Sequence, residues 1–332
     1  MSKKSRRSNQ LDPNDFNSEE LLPVRRRGAD GMPEDVVDSG AVEEELPPIK
    51  TSDKITTYSA KSEVRSPAKL VRNIFEDFVA GRELSWRLFL RNLRGLYRQT
   101  LLGLFWIFLP PIANTAFWIF LQKAKILDTG EMGVDKTVYI LTGMILWQAF
   151  IEAFQMPLNM LSKNGNMISK LNFPRESLLL VGVGEILFNL MIRLLLLIPA
   201  FWMFSVSFHP TILLAPVAIL AVVLLGAALG LMIMPFGSLY QDVGRFIGVA
   251  LPFWMIITPI VYRPFEDFPG SLLNWLNPAS PLILLSRDWL LIGGSNHQMT
   301  GLVFGAISLP LLLLGLIVYR ISIPVLIERM NA

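Results

Sequence analysis

Long apolar runs, separated by short polar stretches, make up most of the chain after residue 100. A helix needs about 20 apolar residues to cross a hydrocarbon core about 30 Å thick. The runs lie at about 103–122, 137–158, 177–206, 211–236, 247–262 and 299–321. The third run is longer than a bilayer requires, and the fifth is short. The pattern predicts an all-α membrane protein with six transmembrane helices.

The first 66 residues have the opposite character, because they contain 11 Lys or Arg and 13 Asp or Glu with scattered proline and glycine. Such a segment buries too little apolar surface to offset the entropy of ordering. We expect a disordered cytoplasmic tail over 1–66. Its basic runs, "KKSRR" and "RRR", are interpreted as solvated, with contact to anionic lipid as the alternative. No apolar stretch follows the first basic residues, so a signal peptide is not expected.

The stretch "RELSWRLFLRNLRGLYR" (82–98) leads into the first apolar run. At about 100° per residue, four of its arginines fall within about 60° of one another on a helix. They are Arg87, Arg91, Arg94 and Arg98. Trp86, Phe89 and several leucines take the opposite side. This division predicts an amphipathic interface helix within 67–101, ahead of a six-span domain over 102–332. The alternative is an ordinary helix packed on a partner.

Composition narrows the function classes. Hydrophobic residues make up 52% of the 332 residues, and charged residues 17%, below the ~25% of a typical soluble domain. The chain has no cysteine, only two histidines, and no Gly-Lys pair of the kind that a Walker phosphate loop contains. We therefore expect no catalytic, cofactor-binding or metal site. The small excess of Lys and Arg (30) over Asp and Glu (27) is interpreted as membrane orientation and not as nucleic-acid binding.

Basic residues sort the polar stretches into two groups, and cytoplasmic loops are the ones enriched in Lys and Arg. The tail, 82–98 and 159–176 are basic, and the C-terminus adds Arg320 and Arg329. Acidic residues balance the basic ones in the remaining long loops. This distribution predicts that both termini are cytoplasmic.

The stretch "NMISKLNFPRES" (166–177) interrupts two apolar runs with charge. Apolar residues repeat at helical spacing up to Leu171, which predicts a short amphipathic helix. Pro174 disfavours helical geometry at Phe173 and suits the first turn of the next helix, where Glu176 lies near the positive dipole end. The result is a sharp corner that exposes an aromatic ring and charged groups, as expected of a docking surface.

Three stretches in order carry a family resemblance. They are "LYRQTLLGLFWIFLPP" (96–111), "ISKLNFPRES" (168–177), and "SLYQDVGRFIGVALPFWMIITPIVY" with "NPASPLILLSRDWL" (238–262 and 277–290). From about residue 70 to 332 the chain resembles ABC-2-type permeases of the polysaccharide-export kind, which move O-antigen, capsule or teichoic acid. It departs from the family's Tyr-Arg-Asp at Tyr240-Gln241-Asp242, so no role of that arginine carries over.

The resemblance implies a function for the loop and a set of partners. The loop would be the coupling helix that docks into a separate ABC ATPase, which would hold the ATP and Mg. The residues that match the family's loop are Lys170, Phe173, Pro174, Arg175 and Glu176. The family further implies a homodimer in the cytoplasmic (inner) membrane, passing an undecaprenyl-pyrophosphate-linked polysaccharide. Short re-entrant helices after the fifth span would narrow the external exit.

Charged and aromatic residues inside the spans are the candidate translocation path. Glu152, Glu185 and Arg193 each cost roughly 2.5–3.5 kcal/mol on insertion scales. Glu185 and Arg193 are eight residues apart, about 12 Å along a helix, so we expect their partners on other helices or in water. They either line a polar path or form a structural bridge. The rings Trp147, Trp202 and Trp254 would stack on sugars or, one by one, serve as anchors and packing groups.

Two local patterns predict how the helices pack. Pro110–Pro111 predicts a kink or a break in the first span, unless neighbours satisfy the freed carbonyl groups. "GAALG" (226–230) and "GLVFG" (301–305) allow close helix approach, within one protomer as readily as in a dimer.

Two other functions remain open at this level. A membrane transferase acting on lipid carriers would need clustered His, Asp or Glu at the surface, whereas the candidates here are scattered. An ion-coupled transporter would show an internal repeat, and no repeat is visible. The favoured interpretation is the transmembrane subunit of an ATP-driven exporter.

Overall fold

The computed structural model describes residues 67–98, 101, 103–126, 133–170, 175–265, 267–268, 270–294 and 296–331. Within these ranges every regular element is helical. The helices are α1 (Pro67–Arg98), α2 (Phe105–Lys123), α3 (Lys136–Lys170), α4 (Glu176–Leu194), α5 (Leu197–Met203), α6 (Ala215–Leu239), α7 (Gln241–Ile257), α8 (Gly270–Leu276), α9 (Ala279–Leu291) and α10 (Gln298–Asn331), with a short 3₁₀ turn at Pro210–Leu213. The predicted tail, 1–66, lies outside the described residues.

Five helical segments are long and apolar enough to cross a membrane, and they match five of the six predicted runs. They lie at Phe105–Lys123, Lys136–Gly165, Glu176–Met203, Ala215–Leu239 and Gln298–Arg329. The all-helical membrane class is therefore confirmed, whereas the count of six stays a prediction.

The short fifth run coincides with α7, which has only 17 residues. At 1.5 Å per residue α7 is about 25 Å long, less than the ~30 Å of a bilayer core. The helix ends at Ile257 because Pro259 disfavours helical geometry at Thr258, which is extended at φ −83° and ψ 131°. The run was predicted to continue to 262, and the proline accounts for the earlier end.

Helix α6 packs closely against α3 through the glycines of "GAALG". A Cβ at Gly226 would lie 2.6 Å from the carbonyl oxygen of Phe150, and one at Gly230 would lie 2.1 Å from that of Phe154. Neither distance leaves room for a side chain. The predicted role of this pattern in close packing is thus confirmed within one protomer.

Replacing Gly230 with valine should destabilise the protein by about 1–3 kcal/mol, because the added atoms force α3 and α6 apart. A melting curve of the detergent-purified protein measures the loss. Gly248→Ala on α7 is the matched control, since a Cβ there meets nothing within 4 Å. A Gly230 variant that melts with the wild type would contradict the close approach.

The segment 263–298 contains two short helices, α8 and α9, as its broken apolar pattern predicts. All 13 residues of α9 are buried, including Arg287 and Asp288. The sequence predicted short helices here but not that these two charged residues are buried. Two adjacent charged residues indicate an exposed loop only if both contact water, and here the surrounding helices cover them.

Candidate functional site

The predicted docking loop joins α3 to α4. Phe173 and Pro174 lie outside the described residues, and of Lys170 only the position at the end of α3 is described. Arg175 immediately precedes α4, and Glu176 is its first residue. The predicted short amphipathic helix is not separate: α3 runs without a break for 35 residues to Lys170. At about 52 Å, α3 is long enough to cross a bilayer and extend beyond it.

Three helices meet beside this loop through a buried group of charges, here called the ion cluster: Asp77 of α1, Glu176 of α4 and Arg320 of α10. Arg320 lies 2.8 Å from an Asp77 carboxylate oxygen and donates to Glu176 at 3.1 Å. The three side chains are only 17%, 6% and 10% exposed, in the order Asp77, Glu176, Arg320. A buried pair with one partner missing is costly, so the cluster holds the start of α4 to both α1 and α10.

Two further hydrogen bonds support the same junction. The Tyr319 hydroxyl donates to the carbonyl oxygen of Arg175 at 3.0 Å, and the Ser85 hydroxyl donates to that of Ser177 at 2.9 Å. Gly81 lies so close to Ser177 that a Cβ would be 2.2 Å from its hydroxyl oxygen. Residues 175–177 are therefore tied to α1 and α10 from both sides. Sequence reasoning missed the cluster, although an isolated arginine within an apolar run, such as Arg320, was the available signal.

Helix α1 has three faces where the sequence predicted two. Arg87, Arg91 and Arg94 are exposed and form one face; the Arg98 side chain lies outside the described residues. A packing face meets α4: Ser85 and Leu88 are buried, and Phe89 packs edge-on against Phe188 at 6.3 Å between ring centroids. The Phe89 ring also contacts Trp86, at 5.6 Å between centroids. The third face is an exposed apolar stripe of Phe75, Val79 and Trp86, each at least 60% exposed.

The arginine face should hold α1 to anionic lipid, each residue contributing on the order of 1 kcal/mol. Changing Arg87, Arg91 and Arg94 to glutamate reverses that attraction and should lift the apolar stripe from the bilayer. Because the chain has no cysteine, a nitroxide on Val79→Cys reports the stripe alone, and its accessibility to a water-soluble relaxant should rise. Lysine at the same three positions keeps the charge and should leave the signal unchanged. Unchanged accessibility in the glutamate variant would mean that protein contacts alone hold the helix.

The charges inside the predicted spans have partners on other helices, as expected. Arg193 of α4 forms an ion pair with Glu152 of α3, and Glu185 of α4 accepts a hydrogen bond from the Asn92 amide of α1 at 2.8 Å. Arg193 Nε also donates to the carbonyl oxygen of Ile107 at 3.4 Å. That carbonyl is four residues before Pro111, which has no N–H to donate. The arginine thus supplies the missing donor, and α2 continues as one helix through both prolines.

A polar cavity of about 740 Å³ lies between α1, α3 and α4. Its polar lining consists of Arg91, Asn92, Glu152, Gln155, Asn159, Lys163, Asn164, Glu185 and Asn189. Of the charged candidate path residues, Glu152 and Glu185 line it, and Arg193 pairs with Glu152. Five carboxamides and two carboxylates line the cavity, in keeping with the tendency of polar groups on membrane helices to face cavities or partners.

Two of the three candidate tryptophans, Trp147 and Trp254, are in contact, and Trp202 is not part of that group. Trp147 is 2% exposed, stacks on Phe150 at 5.3 Å and meets Trp254 edge-on at 6.1 Å. The indole of Trp254 donates to Asn277 at 2.9 Å, whereas Trp202 on α5 is 86% exposed. In this conformation Trp147 is a packing residue with no face open to a sugar.

A second, smaller cleft of about 330 Å³ lies at the other end of α3, beside Tyr139. The buried guanidinium of Arg287 lies 3.6 Å above the Tyr139 ring and donates to the carbonyl oxygens of Pro259 and Ile260 at 3.0 and 3.4 Å. These contacts fix the turn after α7. Among the described residues, no group of His, Asp and Glu is arranged to hold a metal ion.

Comparison with known proteins identifies the class. The chain matches the model of the ABC-2 type transporter family over residues 83–287, which is 205 of its 332 residues. The chain therefore belongs to the ABC-2 type transporter family and is a multi-pass membrane transport subunit. Membership implies an ABC ATPase as partner, since the family's permeases are the membrane subunits of ABC transporters.

Two relatives carry a more specific description. Both are O-antigen export system permease proteins of Klebsiella pneumoniae, named RfbA. They are 22% identical over 222 residues and 20% identical over 220 residues, and each match covers 64% of this chain and 82% of the relative. The resemblance inferred from the three sequence stretches is thus confirmed at the level of the family and of its O-antigen export members.

Proposed function

We propose that this chain is the permease subunit of an ATP-driven exporter that moves a lipid-linked polysaccharide across the cytoplasmic membrane. The observation that carries the proposal is the match to the ABC-2 family together with similarity to two O-antigen export permeases. The same proposal includes a homodimer with two ATPase subunits. We further propose that each protomer has six spans, that α7 is the fifth of them, and that both termini are cytoplasmic.

The docking loop is proposed to receive the ATPase. Arg175 and Glu176 are the residues of the predicted docking set whose contacts are described. Glu176 belongs to the ion cluster, and the carbonyl oxygen of Arg175 accepts the hydrogen bond from Tyr319. A displacement of the loop would therefore be passed to α1 and α10 as well as to α4. In the same proposal 1–66 is a tail outside the transport domain, α1 lies at the lipid surface through 67–101, and 102–332 is the six-span domain.

In this proposal the partner ATPase binds ATP and Mg, and this chain forms the translocation path. Glu185 and Arg193 would form the polar part of that path, with Trp147, Trp202 and Trp254 as candidate stacking rings. Since Trp147 is buried, it would take part only if α3 and α7 separate during transport. α8 and α9 would be the re-entrant helices that narrow the exit.

Co-expression with an ABC ATPase from the same organism tests the function. We expect the two chains to co-purify, ATP turnover to depend on both, and deletion of the permease gene to leave the polysaccharide inside the cell. Stable assembly with full export of the polysaccharide in the deletion strain would contradict the assignment. A chain that binds no ATPase at all would also contradict it.

A further inference from the structure

We propose that the polar cavity between α1, α3 and α4 binds one uncharged sugar unit of the exported material. This inference rests on the proposed export function and adds to it a place and a chemical preference. All the lining residues of this cavity belong to one protomer. Its volume of about 740 Å³ falls within the ~300–1,000 Å³ typical of small-molecule sites.

The hydrogen-bonding groups of the cavity match the hydroxyl groups of a sugar. A carboxamide both donates and accepts, and so does a hydroxyl. Asn92 donates to Glu185 at 2.8 Å, and Asn189 donates to Glu152 at 3.4 Å. Each of these amides has a second N–H that can donate to a ligand. Gln155 and Asn159 line the same wall on α3, one turn apart. Paired donors and acceptors on three helices are the arrangement that a polyhydroxyl ring needs.

The charges of the cavity favour a neutral ligand over an anion. Glu152 is compensated by Arg193. The recorded hydrogen bond to Glu185 comes from a neutral amide, and no cation pairs with this residue in the described part of the chain. Two other cations line the cavity, and both are exposed. Arg91 donates to the side-chain oxygen of Asn92 at 3.4 Å, and Lys163 is eleven residues from Glu152 on α3, about 16 Å along the helix. A carboxylate ligand in the inner part would therefore meet the charge of Glu185 at low dielectric, which is unfavourable.

The bland alternative is a cavity that only hydrates an ion pair. The bridge between α3 and α4 requires Glu152 and Arg193 alone. Gln155 and Asn159 have no part in that bridge, yet they place two further amides on the cavity wall formed by α3. A ligand that uses these amides accounts for them, and hydration of the bridge does not.

Saturation-transfer NMR on the permease in nanodiscs of non-glycosylated lipid tests the site with two probes, methyl α-glucoside and glucuronate. We expect transfer to the glucoside and little to the uronate. Gln155→Leu with Asn159→Leu should weaken glucoside binding about tenfold, which corresponds to about 1.4 kcal/mol. Asn114→Leu is the matched control, because Asn114 is exposed on α2 and does not line the cavity. Glu185→Gln should bring the uronate signal up to that of the glucoside.

Equal transfer to both probes in the wild type, or an unchanged glucoside signal in the double variant, would overturn the assignment. The Glu185→Gln variant keeps the side-chain shape, so it remains informative if the leucine pair fails to fold. Failure here is separable from failure of the export function. If the glucoside shows no saturation transfer while ATPase assembly and export are intact, only the proposed sugar site is contradicted. If the glucoside shows saturation transfer but the chain binds no ATPase, only the proposed export function is contradicted.

Discussion

Arg320→Met should destabilise the protein by about 3–5 kcal/mol, the cost of leaving buried charges without their partner. The substitution keeps an apolar chain of similar length and removes the guanidinium that meets both Asp77 and Glu176. Their carboxylates would then face each other away from water, where like charges repel. Thermal unfolding of the purified protein, followed by the loss of its monodisperse peak in size-exclusion chromatography, measures the effect.

Two variants separate the buried charge from other consequences of this change. Arg329→Met lies on the same helix but at an exposed position, and it should melt with the wild type. A triple variant with Asp77→Asn, Glu176→Gln and Arg320→Met removes all three charges and should recover most of the lost stability, since neutral replacements of buried pairs are often tolerated. A single Arg320 variant as stable as the wild type would show that the ion cluster contributes little.

Phe173→Ala combined with Arg175→Glu should abolish export while leaving insertion intact. Loss of an aromatic anchor with reversal of a charge costs roughly 2–4 kcal/mol at an interface, which weakens docking more than about tenfold. The fold should persist because Tyr319 bonds to the backbone carbonyl of Arg175 and not to its side chain. Co-purification of the ATPase and the amount of polysaccharide at the cell surface are the two measurements.

A matched double variant on α2 serves as the control. Phe117→Ala with Lys123→Glu removes an exposed ring and reverses an exposed charge on α2. This pair should leave ATPase binding unchanged. Normal export by the Phe173 and Arg175 double variant would exclude the loop as the docking element, and the ion cluster would then have only a structural role.

The differences between pattern and structure have local and non-local causes. The end of α7 has a local cause, because Pro259 acts on the residue before it and this signal was readable in the sequence. The burial of Arg287 has a non-local cause. Its charge indicates that it needs partners, but the sequence does not indicate that Tyr139 and the carbonyl oxygens of Pro259 and Ile260 are those partners. Counting loop charges therefore did not reveal that the side chains of Arg287 and Asp288 are buried.

The amino-acid sequence alone determined the class of this protein, because a transmembrane helix satisfies its own backbone and needs only a sufficient apolar length. It also indicated the family, since stretches such as "ISKLNFPRES" resemble those of the family in the same sequence order. Only the tertiary structure decided which polar groups meet. Arg320 lies 144 residues from Glu176 in the chain, and Asn92 lies 93 residues from Glu185. Helical periodicity specifies which face of a helix is polar, whereas the neighbour that covers this face depends on how all the helices pack at once.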